Sequence, residues 1–307
     1  MNAPRQPRRD VHGIILLDKP YGVSSNAALQ RVKRLFQARK AGHTGSLDPL
    51  ATGLLPVCLG DATKMSGFLL DADKSYRVRI KLGIKTTTGD AEGAAVTIRP
   101  VVGIDKPRLL RALEDFTGQI EQVPPMHSAI KQNGQPLYKL AHQGVIVERQ
   151  PRSVIIRKIT LLQFEGDRVE VEVDCSKGTY IRVLAEDIGE ALGCGAHVAE
   201  LRRTRAGPFD GAQMLTLDAL EECAKEGLPC LDGLLLPMDS ALAHWPDVLL
   251  PDDAAYFLRQ GQAVRASHAP ASGWVKLYTR QRRFLGVGCM LEDGRVAPRR
   301  LVGVVDS

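Results

Sequence analysis

Residues 75–83, SYRVRIKLG, alternate between apolar and basic side chains, and this pattern constrains the fold more than any other stretch. A period of two residues is that of a β-strand with one buried and one solvated face. A second stretch, RVEVEVDC at 168–175, places valines between acidic residues. The chain must therefore build a sheet that buries one face and keeps charged side chains on the other. The side chains expected on the buried face of the first strand are Tyr76, Val78, Ile80 and Leu82.

Helical patterns occur between the strands without a regular βαβ order, which favours an α+β fold with a mixed or antiparallel central sheet. The helix over 105–118 has the clearest ends, because Asp105 can cap it and Gly118 can close it. Residues 121–144 are rich in Pro, Gly and polar residues and predict a projecting insert with a short helical stretch near 137–141. Further strands are predicted at 13–17, 153–164, 168–175 and 199–207, and further helices after Ser24 or Ser25, within 178–193 after a strand-like start, and at 217–225.

Periodicity is lost over residues 237–251, PMDSALAHWPDVLLP, and this loss predicts a domain boundary. Beyond it come one helical pattern and several short strands, the last of them after an Asp293-Gly294 turn signal. A chain of 307 residues is long enough for two buried cores. We therefore expect a large α+β domain followed by a small β-rich domain.

The net charge of +6 arises from 41 basic and 35 acidic residues, and the basic residues are clustered. Such clusters favour contacts with phosphate groups, although any one of them is also typical of a solvated face. The apolar runs are too short to span a bilayer and no secretory signal is visible, so we expect a cytoplasmic protein with no membrane partner. The clusters lie at 30–40, 148–158, 200–205, 279–283 and 297–300.

The six cysteines form no CxxC pair, and no His lies at zinc-finger spacing from them. We therefore expect neither a metal site nor a disulfide framework. The simplest interpretation is that all six are reduced thiols used as small apolar side chains.

The stretch GHTGSLDPLATG at 42–53 concentrates glycines and polar residues in one loop. It has neither the Gly-Lys-Ser/Thr ending of a phosphate loop nor the GxGxxG spacing, and Ser46 is not in a GxSxG elbow. The signature of a zinc deaminase is missing as well. One carboxylate, Asp48, remains. Asp48 has two interpretations. It can form an Asx turn before Pro49, or it can be a reactive group in a loop whose glycines let a ligand approach the backbone.

Other polar residues allow two interpretations from the pattern alone. Tyr76 is either a core aromatic or a catalytic residue. Arg182 interrupts an apolar run that alternation would bury, and a buried arginine needs a carboxylate partner, for which Asp48 or Asp187 is available. His43 alone is typical of a loop histidine.

Five long motifs follow one another along the chain: GHTGSLDPLATGLLPVCLGDATK, KSYRVRIKLGIKTTTGDAEG, VPPMHSAIKQNGQPLYKLAHQG, CSKGTYIRVLAEDIGEALG and LRRTRAGPF. In content and order they resemble the TruB family of bacterial tRNA pseudouridine-55 synthases. The later stretch GVGCMLEDGRVAPRRLV is similar to the small C-terminal PUA-like domain of that family. The resemblance extends from about Gly13 to Val302, with minor departures at His127 and Lys177.

The resemblance implies a pseudouridine-synthase-like α+β fold with a mixed or antiparallel central sheet and flanking helices. It divides the chain into a basic N-terminal tail (1–12), a catalytic domain (13–245) and a PUA-like RNA-binding domain (246–307). Within the catalytic domain, residues from about 124 to 152 correspond to a thumb insert that closes over RNA.

The implied activity is isomerisation of uridine 55 in the T-loop of tRNA to pseudouridine. The base is flipped out of the stack, detached from N1 and rejoined through C5. No net bond energy has to be supplied, so the resemblance implies neither a cofactor nor a metal. The implied partner is the T-arm of tRNA, and we expect a monomer.

The resemblance also assigns roles to residues. Asp48 matches the nucleophile that forms a covalent adduct at C1′ or C6, and elimination to a glycal stays open as an alternative route. Arg182 matches the arginine that keeps this carboxylate ionised. Tyr76 matches the aromatic residue that stacks on the base and can accept a proton. The implied substrate-binding residues are Tyr180 and Leu201, which flank the base, and His43, which enters the T-loop near the space that the flipped base leaves.

Two other functions are compatible with parts of the pattern. Basic clusters and a PUA-like module would also suit an RNA-binding chaperone that folds tRNA without catalysis, but the presence of Asp48, Tyr76 and Arg182 argues against a loss of activity. A DNA-binding module is disfavoured because no helix-turn-helix or zinc finger is evident.

Overall fold

The structure is a computed structural model that describes residues 8–303, apart from residues 129, 133 and 146. Its strands and helices follow one another without βαβ repeats. The strands are β1 (Gly13–Lys19), β2 (Ala41–His43), β3 (Thr52–Leu59), β4 (Lys74–Leu82), β5 (Ile84–Thr86), β6 (Ala95–Ile98), β7 (Gly118–Gln122), β8 (Lys131–Gln132), β9 (Gln135–Pro136), β10 (Arg152–Glu165), β11 (Arg168–Cys175), β12 (Ala196–Ala206), β13 (Phe209–Asp210), β14 (Asp247–Leu250), β15 (Val264–Arg265), β16 (Trp274–Thr279), β17 (Phe284–Met290) and β18 (Arg295–Leu301).

The helices are short to medium in length, and none of those described is both long and apolar enough to cross a membrane. They are α1 (Ser25–Leu35), α2 (Ser66–Leu70), α3 (Lys106–Asp115), α4 (Leu137–His142), α5 (Ile181–Ala191), α6 (Leu217–Glu226), α7 (Leu228–Gly233) and α8 (Asp252–Arg259), with 3₁₀ turns at Gly60–Lys64, Gly211–Gln213 and Met238–Leu242.

The central sheet has nine strands and runs in the order β1-β3-β12-β4-β11-β10-β7, with β2 beside β3 and β13 beside β12. Strand β4 pairs antiparallel with both of its neighbours, β11 and β12. Strands β3 and β12 pair parallel, so the sheet is mixed. The predicted α+β fold with a mixed central sheet is confirmed, and the alternating strand from which it was inferred lies in the middle of that sheet.

The two faces of the central sheet are covered differently. Helices α1, α3, α5 and α6 pack on one face and enclose the largest apolar core. On the other face, β1 and β3 pack against a second core that includes α2 and part of the C-terminal strands. Strands β4 and β11 leave this second face open to solvent, where Arg77, Arg79 and Glu172 are exposed. The alternation in β4 therefore matches the burial of the two faces.

The C-terminal residues form a five-stranded sheet in the order β14-β16-β17-β18-β15, with α8 packed against it. This sheet has an apolar core of its own. Three aromatic side chains join it to the rest of the chain: the Trp245 ring lies 4.8 Å from Phe68 and 5.4 Å from Trp274 between ring centroids. The predicted division after residue 245 remains a prediction.

The ends of several elements show how the local sequence acts. Ser24, rather than Ser25, caps α1, because its side chain accepts a hydrogen bond from the Ala27 amide. Asp105 caps α3 as expected. The strand-like start predicted at 178–180 forms no strand: Lys177 and Gly178 form a turn, and Tyr180 is extended without pairing to a strand before α5 begins. Gly178 has a φ of +81°, which interrupts an extended backbone.

The expectation of six free thiols is wrong for one pair, since Cys223 and Cys230 form a disulfide. Helices α6 and α7 meet at Gly227 and bring the two Cα atoms to 5.7 Å, within the usual range for a disulfide. Cys58, Cys175 and Cys194 are buried and free, in agreement with the expectation.

The predicted N-terminal tail is described from residue 8 onward. The Arg9 guanidinium donates to the Asp232 carboxylate over 2.7 Å, and Val11 is buried. Residues 1–7 lie outside the described residues. In the predicted thumb, the short helical stretch near 137–141 is confirmed as α4.

Candidate active site

The loop between β2 and β3 carries Asp48, and hydrogen bonds hold it on both sides of this residue. The Ser25 hydroxyl at the start of α1 donates to the Leu47 carbonyl over 2.8 Å and accepts from the Leu47 amide over 2.7 Å. The Lys19 ammonium, at the end of β1, lies 3.4 Å from the Pro49 carbonyl oxygen, which accepts from it. Two buried side chains therefore hold the backbone immediately before and after Asp48.

Gly53 lets this loop return to the sheet. Its φ is +94°, and a Cβ at this position would lie 2.3 Å from the backbone oxygen of Arg203 on β12. No other residue fits there without moving β12. The glycine thus explains how β3 starts directly beside β12, as its parallel pairing with Arg203 shows.

Arg182, on the first turn of α5, pairs with Asp48. Its Nε lies 3.1 Å from Asp48 Oδ2, and the Arg182 side chain is 8% exposed whereas that of Asp48 is 43% exposed. Of the two carboxylates considered as partners, Asp48 is therefore the one that pairs. Burial raises the pKa of the Asp48 carboxyl above its ordinary value, and the Arg182 cation opposes this rise.

A second carboxylate, Asp90, also approaches Arg182. Its Oδ2 lies 3.6 Å from Arg182 Nη1, and its Oδ1 accepts from the Glu92 amide over 3.1 Å. Sequence reasoning did not select Asp90, which lies in the quoted motif KTTTGDAEG; a Thr-rich turn ending in Gly-Asp was the available signal. The negative charge of Asp90 adds to the rise in the pKa of Asp48.

The remaining donors of Arg182 fix its guanidinium in place. Nη1 donates to the Thr88 carbonyl and Nη2 to the His127 carbonyl, both over 2.7 Å. Arg182 therefore links the Asp48 loop, the loop after β5 and the base of the predicted thumb. A fork of several fixed donors is a geometry that lysine cannot provide.

Tyr76 lies on β4, half-buried on the helix-covered face, as the alternation predicted. It is directly opposite Arg203 on β12. Burial raises the pKa of the Tyr76 phenol, while Arg203 opposes the rise and the negative charge of Asp48 adds to it. Tyr76 and Asp48 therefore belong to the same site.

The three predicted substrate-binding residues lie around this pair. Tyr180 precedes α5, and its amide donates to Gln122 Oε1 on β7 over 2.9 Å. Leu201 on β12 is buried opposite Val78 and belongs to the same apolar cluster as Tyr76. His43 ends β2, and its buried Nδ1 has no hydrogen-bond partner in the described part of the chain. Burial and the nearby Arg203 lower the pKa of His43.

This arrangement suits nucleophilic catalysis. A half-exposed carboxylate is held on a fixed backbone, next to a buried cation that favours its ionised form and a tyrosine able to exchange a proton. Among the described residues, no group of three His, Cys, Asp or Glu side chains has the geometry of a metal site.

Comparison with known families covers nearly the whole chain. The model for the TruB family pseudouridylate synthase (N terminal domain) matches residues 33–181. The model for the tRNA pseudouridylate synthase B C-terminal domain matches residues 182–243. The model for pseudouridine synthase II TruB, C-terminal, matches residues 246–302.

Individual relatives agree with these matches. The tRNA pseudouridine synthase B of Nitrosococcus oceani is 58% identical over 294 residues, which are 96% of this chain and 96% of that protein. The tRNA pseudouridine synthase B of Stutzerimonas stutzeri is 57% identical over 303 residues, covering 98% of this chain and 99% of that protein.

Solved structures show the same fold. A structure of an H/ACA RNP bound to a substrate RNA containing 2′-deoxyuridine has a chain with a TM-score of 0.72 and 26% identity, covering 96% of this chain and 86% of that one. A chain of a Cbf5-Nop10-Gar1 complex has a TM-score of 0.70 and 30% identity, covering 91% and 78%.

The fold and these likenesses define the class of the protein: it is a pseudouridine synthase, an isomerase enzyme. Within that class, the chain belongs to the TruB family.

Proposed function

We propose that this enzyme isomerises uridine 55 in the T-loop of tRNA to pseudouridine, with Asp48 as the nucleophile. The observation that carries the proposal is the pairing of Asp48 with the buried Arg182 on a loop held by Ser25 and Lys19. The names of the relatives specify tRNA, and the H/ACA RNP neighbour binds a substrate RNA. Attack at C1′ and attack at C6 are both compatible with this geometry.

The other site residues take supporting roles in this proposal. Arg182 opposes the rise in the pKa of Asp48 that burial causes, and so favours the ionised carboxylate. Tyr76 stacks on the flipped base and exchanges a proton with it. Tyr180 and Leu201 flank the base, and His43, whose lowered pKa favours a neutral imidazole, enters the space in the T-loop that the base vacates.

The tRNA contacts come from the basic clusters and the thumb. Exposed cations on and after α1, among them Arg34, Arg39 and Lys40, precede the Asp48 loop. They would meet phosphates of the T-arm as residues 124–152 close over the RNA. In the same proposal, residues 13–245 form the catalytic domain and 246–307 a PUA-like RNA-binding domain. The enzyme acts as a monomer in the cytoplasm, without a cofactor.

Tritium release from tRNA transcript labelled at C5 of uridine tests the nucleophile. We expect the native enzyme to release tritium. Asp48→Asn should lower the rate of release by at least about 10⁴-fold, which is typical of the removal of a catalytic nucleophile. Asp115→Asn, on the exposed side of α3, is the matched control and should release tritium at the native rate. Near-native turnover by Asp48→Asn would show that the assignment is wrong.

Binding measurements separate the enzyme from the chaperone hypothesis. Asp48→Asn should bind tRNA almost as tightly as the native protein, and binding by both should fall steeply with added salt. If both proteins bind and refold tRNA equally and neither releases tritium, the chaperone function is the correct one.

A further inference from the structure

Arg203 on β12 is a buried cation to which the proposed reaction assigns no role. Its side chain is among the largest fully buried ones, at 1% exposure. Within the described part of the chain, it forms no ion pair with a carboxylate, and a buried charge without a counter-ion is costly. Backbone oxygens compensate in part: Nε donates to the Leu54 carbonyl over 2.6 Å and Nη2 to the Gly45 carbonyl over 3.1 Å.

The same guanidinium lies beside Tyr76. Tyr76 and Arg203 are direct cross-strand partners on β4 and β12, with both side chains on the helix-covered face, and the charge of Arg203 acts on the Tyr76 phenol. Arg203 thus links the strand that carries the tyrosine to the loop that carries Asp48, three residues after Gly45.

We propose that Arg203 is a positioning residue for the isomerisation, which holds the Tyr76 hydroxyl and the Asp48 loop in one fixed arrangement. The inference rests on the role proposed above for Tyr76. It assigns to Arg203 two bonds, to the Leu54 and Gly45 carbonyls, and a charge held beside the Tyr76 phenol. Because different nitrogens of one rigid group make the two bonds, they require the planar fork of arginine, which a lysine ammonium does not provide.

A purely structural role for Arg203 makes a different prediction. If the residue only supports the loop, its removal should slow the reaction equally whether or not residue 76 carries a hydroxyl. If it acts through the phenol, the two substitutions should not be additive, because each removes the same interaction. The charge of Arg203 also opposes the rise in the pKa of Tyr76, so its removal should raise that pKa further.

The first test is a double-mutant cycle of single-turnover tritium release with Arg203→Met, Tyr76→Phe and the double variant. We expect Arg203→Met to slow release about 100-fold, the scale of a misplaced catalytic group. In the Tyr76→Phe background the same change should cost less than about 3-fold. Equal losses in both backgrounds would overturn the proposal. Arg79→Met, which removes an arginine from the solvent-exposed face of β4, is the control and should be unchanged.

A second test needs no activity. The difference in tyrosinate absorbance between the native protein and Tyr76→Phe follows the ionisation of Tyr76 alone. In Arg203→Met the midpoint of this difference should move to higher pH by more than about one unit, and in Arg203→Lys it should move less. An unchanged midpoint would contradict the proposal. Should Arg203→Met fail to fold by circular dichroism, Arg203→Lys carries both tests, with a smaller loss expected in each.

These outcomes are distinguishable from a failure of the proposed function. Release of tritium by Asp48→Asn would show that Asp48 is not the nucleophile. It would not change the result expected for the Tyr76 titration. A shifted titration with an additive cycle would mean that Arg203 contacts the phenol without acting through it in the reaction, and would overturn the proposal.

Discussion

Strand β4 has two faces that carry charge in opposite ways. On the helix-covered face, Arg182 and Arg203 approach from α5 and β12, are almost inaccessible to water, and surround Asp48 and Tyr76. On the open face, Arg79 pairs with Glu200 at 2.8 Å, and both side chains are more than half exposed. The two faces belong to the same strands, yet only one of them can support chemistry.

The difference lies in the dielectric environment. An exposed ion pair contributes about 0–1 kcal/mol because water screens it and side-chain entropy opposes it. A buried charge is costly unless paired, but it shifts the pKa of its neighbours strongly. The exposed pairs of the open face therefore contribute little to stability. On the covered face, the buried charges of Arg182 and Arg203 are costly in stability, but they act on the pKa values of Asp48 and Tyr76.

Replacing Arg182 should have the largest effect of these substitutions. A small effect would contradict the comparison between the covered and the open face. We expect Arg182→Met to lower kcat about 10³-fold, since it removes both the cation and the fixed donors next to Asp48. The Asp48 pKa, already raised by burial, should rise further. Activity that needs the carboxylate is lost as the pH falls through this pKa, so the acidic limb of the pH–rate profile should move to higher pH.

The control for this prediction is Arg182→Lys, which retains the charge. Its acidic limb should stay near that of the native enzyme, while kcat falls because the fork of donors is lost. An acidic limb that does not move in Arg182→Met would contradict the electrostatic account.

Ser25→Ala tests whether the covered face needs a fixed loop as well as charges. The substitution leaves the buried amide and carbonyl of Leu47 unpaired, which should cost about 1–3 kcal/mol in the free energy of unfolding. The displaced Asp48 should slow turnover about 10-fold. Ser24→Ala removes only the cap of α1 and should cost about 1 kcal/mol without changing kcat. Equal kcat values for the two variants would show that Ser25 has no part in placing Asp48.

The disulfide provides a stability effect separate from both faces. Reducing Cys223–Cys230 opens a loop with a sequence separation of 7, and chain entropy predicts a loss of about 2 kcal/mol. Urea denaturation with and without reductant measures this loss. Cys223→Ser/Cys230→Ser should show the same stability as the reduced protein, and turnover should stay at the native value in each case. A fall in turnover would mean that α6 and α7 support the site.

The smallest effect is expected on the open face. Arg79→Met removes the exposed pair with Glu200 and the 3.4 Å pair with Glu170, but Glu170 stays paired with Arg77. The free energy of unfolding should therefore change by less than about 1 kcal/mol, and kcat should not change. Thermal denaturation and tritium release measure the two quantities. A loss comparable to that of Ser25→Ala would refute the distinction between the faces.

Much of this contrast was predictable from alternation. The period of two in residues 75–83 specified β4, the burial of Val78 and Ile80, and the face on which Tyr76 lies. The N-terminal cap of α3 was predictable because Asp105 acts within four residues of its own position. The predicted end of the helix at Gly118 was wrong, since α3 ends at Asp115 with Phe116 as its cap and Gly118 begins β7. The strand-like start at 178–180 was wrong because a left-handed glycine outweighs a weak local preference.

The partner of Arg182 was beyond such reasoning. Asp187 is on the same helix and close in sequence, but among the described residues it forms no ion pair with Arg182. Burial raises the pKa of Asp187, and the charge of Lys85 opposes this rise. Asp48, 134 positions away, reaches Arg182 only because β12 and α5 bring the loop to the helix. Asp90, Arg203 and the disulfide were missed for the same reason, since their contacts join separate elements.

The sequence by itself determined the elements, the buried face of the central sheet and the residue types available for the reaction, because propensity, period and capping act over a few residues. The tertiary structure alone decided which charged side chains meet on the covered face of the sheet. Pairings between distant residues depend on how strands and helices pack, and burial, which sets the pKa values of Asp48 and Tyr76, exists only once that packing is complete.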